Sequence, residues 1–111
     1  SGPGLARDLE LETGRSLEPS QIVARAESGD LACEAALARY EERLARALAS
    51  VINLLDPDVI VLGGGLSNAE RLYRNVPKQW GRYVYSASVA TPLLKAKHGD
   101  ASGVRGAARL W

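Results

Sequence analysis

Apolar residues recur three or four positions apart through the middle of the chain: Leu37, Tyr40, Leu44, Leu48, Val51, Ile52 and Leu55. This spacing predicts one long amphipathic helix, roughly Asp30 to Leu55. Asp30 supplies an N-cap oxygen, and Pro57 ends the helix by driving Asp56 out of the α region. The opposite face carries Glu34, Arg39, Glu42, Arg43 and Arg46, and Glu41-Glu42-Arg43 reads as solvated. Glu42 and Arg46 stand at i, i+4, a pairing worth about 0.2–0.5 kcal/mol. Two shorter helices come before it. Ser1-Gly2-Pro3-Gly4 reads as a loop feeding the first, which carries Leu5 and Leu9 and stops at Gly14. Glu18-Pro19-Ser20 opens the second, with Ile22, Val23 and Ala26 as its apolar side and Ser28-Gly29 as its end.

The period then changes. Val59 to Leu62 is a continuous apolar, mostly β-branched run, suited to a strand buried on both faces. Three glycines, Gly63, Gly64 and Gly65, follow at once. Glycines at a strand end permit positive φ and let a ligand or another backbone come close. In open α/β sheets ligands settle past the carboxyl ends of strands, so this loop is the candidate site. A glycine-rich strand-to-helix turn without a ligand is the plainer reading of the same residues.

Ser67 or Asn68 is expected to cap a helix containing Leu72, Tyr73 and Val76, interrupted early by Pro77. Trp80, Tyr83, Val84 and Tyr85 suggest an aromatic patch against a sheet edge or a partner. Thr91 to Lys97 reads as a second strand, with Leu94, Ala96 and His98 on one face and Leu93, Lys95 and Lys97 on the other. Gly99-Asp100-Ala101 is a turn, and Ser102 opens a last helix to Trp111 with Gly103, Gly106, Ala107 and Ala108 on a smooth face. Strand, helix, strand, helix predicts parallel strands in a βαβ unit. Two strands cannot cover the long helix, and the chain opens without Met, so upstream strands are expected to lie outside it.

Composition narrows the class without choosing a chemistry. The 111 residues are 46% apolar and 24% charged with a net charge of +1, which suits one globular domain and gives no reason to expect nucleic acid or an anionic membrane. The lone cysteine, Cys33, excludes an internal disulfide and fits a reducing, cytoplasmic setting. Cys33 reads as a small packed residue, the lone His98 as a local hydrogen-bonding group, and Asp100 with Ser102 as turn and cap chemistry. No catalytic residue and no metal ligand is assigned.

The run Leu54-Leu55-Asp56-Pro57-Asp58-Val59-Ile60-Val61-Leu62-Gly63-Gly64-Gly65-Leu66-Ser67, with the helix before it, resembles the C-terminal part of the ROK family of bacterial sugar kinases and sugar-responsive repressors. Ser1 to Leu5 resembles the segment just after that family's zinc-binding cysteine motif. Lys97-His98-Gly99-Asp100-Ala101-Ser102-Gly103-Val104-Arg105-Gly106-Ala107-Ala108 resembles its closing helix in the form seen in bacterial fructokinases.

The resemblance implies an actin-like, hexokinase-like α/β fold, with residues 1–111 as a C-terminal portion and the N-terminal domain outside the chain. It implies an ATP-dependent hexose kinase, fructokinase first, with Gly63, Gly64, Gly65, Leu66 and Ser67 beside the adenosine of Mg-ATP. The catalytic Asp, the phosphate loop and the structural zinc ligands would lie upstream; Cys33 and His98 do not match the zinc spacing. The expected partners are the upstream part of the same protein, a hexose and a second copy. The alternative is the sugar-sensing, dimerising part of a ROK repressor, with a DNA-binding domain upstream.

Overall fold

A computed structural model describes residues 2–86 and 89–97. Three helices come first: α1 (Gly2–Thr13), α2 (Pro19–Glu27) and α3 (Leu31–Leu55). Strand β1 (Ile60–Leu62), a 3-10 turn over Gly65–Asn68, α4 (Arg71–Trp80) and strand β2 (Leu93–Lys95) follow. The predicted last helix, its Ser102 cap and the Gly99-Asp100-Ala101 turn lie outside the described residues, as does His98.

Helix α3 is the spine, with α1, α2 and α4 all packed on it. Its cap is the predicted one: Asp30 Oδ1 accepts from the Cys33 backbone N–H at 3.2 Å. Leu37, Leu44, Leu48 and Ile52 are buried against Leu5 and Leu9 of α1, Ile22 of α2, and Leu72, Val76 and Trp80 of α4. Cys33 is packed in this core. Val51, expected in the core, is half-buried, and Leu54 and Leu55 are 82% and 68% exposed because no described element covers the last turn. Asp56 does leave the right-handed region, into left-handed backbone at φ 45°. Aspartate tolerates that conformation better than most side chains.

The strands pair in parallel, Ile60 with Leu93, Val61 with Leu94 and Leu62 with Lys95, as the βαβ reading required. Both are shorter than predicted. Alternation fails after Lys95: Leu93 and Ala96 are buried and Leu94 is half-exposed. Ala96 lies beyond the end of β2, so the period of two no longer governs it.

Four further expectations are corrected. Gly2 to Gly4 already belong to α1, where the early proline is tolerated because first-turn N–H groups have no helical partner. Helix α4 runs three residues past Pro77 to Trp80, and packing of Leu72, Val76 and Trp80 onto α3 outweighs the one lost hydrogen bond. It lies chiefly against α3 and only touches β2. The aromatic residues do not form a patch. Trp80 enters the core, Tyr85 is exposed, and Tyr83 turns to α3, donating to Glu42 with Arg46 stacked 5.0 Å from its ring centre.

Glu41 is the fourth. It is 2% exposed, not solvated, because it shares the row of Leu37, Leu44 and Leu48. Arg71, at the start of α4, meets it with Nε at 2.8 Å and Nη2 at 3.1 Å, and Asn75 Nδ2 adds contacts of 3.1 and 3.3 Å. The same guanidinium holds Glu34 at 2.5 and 2.8 Å. The double pairing raises the Arg71 pKa and lowers that of Glu34.

Asp8 beside Arg39, Asp30 beside Arg15, and Glu42 beside the Tyr83 hydroxyl and Arg46 are also held below the ordinary carboxylate range. Folded values below unfolded ones mean that these groups stabilise the fold above the unfolded carboxylate pKa of about 4. The contribution is lost as pH falls through the folded values. Melting temperature is therefore expected to be flat from neutrality to about pH 5 and to drop below about pH 4. Melting followed by circular dichroism across that range checks it, and a flat profile down to pH 3 would refute it.

Candidate functional site

Strand β1 delivers the chain to Gly63, which is half-buried; Gly64 and Gly65 are exposed. Gly64 has φ 89° and ψ −175°, a region that essentially only glycine occupies. Gly65 has no such constraint and opens the 3-10 turn. A Cβ on either would meet nothing within 4 Å. Bare backbone here thus borders open space.

Ser67 shapes the loop. Its backbone N–H and its Oγ both donate to the Gly64 carbonyl, at 3.1 and 2.7 Å. The side chain is 1% exposed, so it closes the turn and does not face outward. Neither Ser67 nor Asn68 caps α4, whose N-cap position is Glu70 without a side-chain cap. Instead Tyr73, one turn into α4, donates its hydroxyl to the Ser67 carbonyl at 2.5 Å. Burial, with the Glu70 carboxylate nearby, pushes the Tyr73 pKa up to about 12, so the phenol remains a donor at neutral pH.

Facing the loop is α2, a wall that no sequence pattern had placed there. A cleft of about 230 Å³ opens between them. Val23, Ala24, Leu66 and Ala69 give it a mainly apolar lining, with Gly65 on the floor and Ser20, Glu27 and Asn68 as polar groups. Of the five residues predicted at the site, Gly65 and Leu66 line this cleft, Gly63 and Gly64 lead into it, and Ser67 braces it. The missed residues are those of α2. Ile22 and Ala26 point into the core, so Val23 and Ala24 flank it, and that phase was the available signal. Among the described residues no group of three His, Cys, Asp or Glu side chains could hold a metal ion.

The ROK family model matches residues 1–111. The chain belongs to the ROK family. It is 41% identical over 110 residues to an N-acetyl-D-glucosamine kinase of Photobacterium profundum, covering 99% of this chain and 36% of that one. The enzyme of the same name from Salmonella typhi is 36% identical over the same span, again 36% of its own length. The chain therefore spans about a third of the relatives it matches. The solved structure of the ROK hexokinase from Thermus thermophilus superposes with a TM-score of 0.77 at 28% identity, over 93% of this chain and 36% of that one. The helices and parallel strand pair are thus part of the actin-like, hexokinase-like fold of ROK sugar kinases. No described helix is long and apolar enough to cross a membrane.

Proposed function

We propose that this ROK chain is the C-terminal, nucleotide-binding portion of an ATP-dependent hexose kinase. One observation carries the reading: open glycine backbone at the carboxyl end of β1 forms the floor of a mainly apolar cleft walled by α2. A flat base can lie against backbone without Cβ atoms, and the cleft is apolar with a few polar groups, as small-molecule sites usually are. Gly63, Gly64, Gly65 and Leu66 are the proposed adenosine contacts, with Ser67 holding their geometry. The magnesium ion, the catalytic base and most sugar contacts fall to the rest of the protein. There the chemistry is largely positioning and charge neutralisation.

N-acetyl-D-glucosamine is the first acceptor to test, because it is named in the relatives that this chain matches along nearly its full length. Fructose is second, from the resemblance of Lys97 to Ala108. The test is coupled ADP release by the intact protein over a panel containing both sugars and glucose, alongside the 111-residue chain alone. The intact protein is expected to turn over at least one hexose with ATP, and the chain alone none, since phosphoryl transfer also needs the base, the metal site and the sugar contacts assigned to the rest of the protein. Turnover by the chain alone would place the catalytic groups within it and overturn the assignment. An inactive intact protein that binds operator DNA and releases it with sugar would favour a repressor.

A further inference from the structure

We propose that Tyr73 is a positioning residue of the nucleotide seat, fixing the backbone of the glycine loop from helix α4. The inference rests on the nucleotide reading above. Three groups act in series. The Tyr73 hydroxyl donates to the Ser67 carbonyl. Ser67, through its own N–H and Oγ, holds the Gly64 carbonyl. Gly64 carries the only positive φ in the loop and so sets the direction of Gly65 on the cleft floor.

A tether positions only if its base is fixed, and α4 is fixed independently. Arg71, two residues before Tyr73, is locked to α3 through Glu34 and the buried Glu41, and Asn75 joins the same carboxylate from the other side. Leu72 and Val76 are fully buried on either side of Tyr73 in sequence. The phenol therefore hangs from a rigid helix turn and reaches back across the 3-10 turn to the loop. Tyr73 does not line the cleft, so any effect on nucleotide binding must pass through the loop backbone.

The experiment uses the intact kinase with ATP and its best hexose. Tyr73→Phe keeps the half-buried ring and removes only the donor. The expected result is a rise in KM for ATP, and in the Kd for ADP by direct titration, of about three- to tenfold, the ordinary worth of one hydrogen bond. KM for the sugar is expected to stay within about twofold of wild type, and the melting temperature within the shift expected from one partly buried hydrogen bond. A fall in melting temperature with all kinetic constants worsening together would make Tyr73 merely structural and overturn the proposal. Gly65→Val, measured in parallel, separates the two inferences. Weakened nucleotide binding in Gly65→Val with unchanged binding in Tyr73→Phe removes the positioning role and leaves the site. Unchanged binding in both removes the site, and the positioning role with it.

Discussion

Arg71→Met is expected to destabilise the protein by about 3–5 kcal/mol, the usual cost of removing one partner from a buried ion pair. Glu41 is 2% exposed and takes hydrogen bonds from Arg71 and Asn75 across the α3–α4 contact. Without the guanidinium, a carboxylate shut away from water keeps only an amide. It must then stay charged at high cost or let α4 move to admit water. Glu34 is different: its side chain is 47% exposed, so water can replace Arg71 there. Glu34→Gln should therefore cost about 1 kcal/mol or less, as for an exposed pair. The double variant Glu41→Leu, Arg71→Met should recover much of the loss, since apolar residues of similar size often replace a buried pair without penalty. Urea midpoints of the three variants test the set. A loss under about 1 kcal/mol for Arg71→Met would mean that Glu41 is hydrated in solution.

That pair also shows what could be read from the chain in advance. The long helix, its Asp30 cap and its Leu37–Leu44–Leu48 stripe follow from spacing and local chemistry, which are properties of neighbouring residues. The strand into glycines, and the parallel partner one helix later, follow equally from chain order. Glu41 does not. Its position on the apolar stripe was visible, but residue type argued for solvent, and the cation that resolves the conflict sits thirty residues away on another helix. Pro77 departs from its local expectation for a related reason: the penalty is real, but three buried side chains of α4 outweigh it. At the site, the glycine loop was legible because three glycines in a row end a buried strand, and Gly64 holds a backbone conformation that other residues rarely adopt. The α2 wall was not, because only tertiary packing brings residues 20–27 to residues 65–69. Ser67 was placed correctly in the loop, yet its role is to hold backbone, a distinction that depends on which way one hydroxyl points.

The glycines themselves supply the second large effect, and the structure decides which to change. A side chain at Gly64 would sit at φ 89°, ψ −175°, where strain costs about 1–3 kcal/mol before any ligand arrives. Gly64→Val therefore confounds stability with binding. Gly65 has ordinary φ and open space over its Cβ position, so a side chain there fits the ligand-free protein. It would instead occupy the cleft floor on which the base is proposed to lie. If the proposed nucleotide site holds, Gly65→Val in the intact protein is expected to raise KM for ATP at least about tenfold, a loss of about 1.4 kcal/mol or more. KM for the sugar should be little changed, and melting without nucleotide should shift far less than in Gly64→Val. Thermal stabilisation by saturating ADP should also shrink in Gly65→Val, because a ligand stabilises the fold only as far as it binds it. Steady-state kinetics and melting curves with and without ADP measure all of this on the same samples. ATP affinity equal to wild type in Gly65→Val would reduce the triple glycine to a strand-to-helix turn and move the nucleotide elsewhere on the protein.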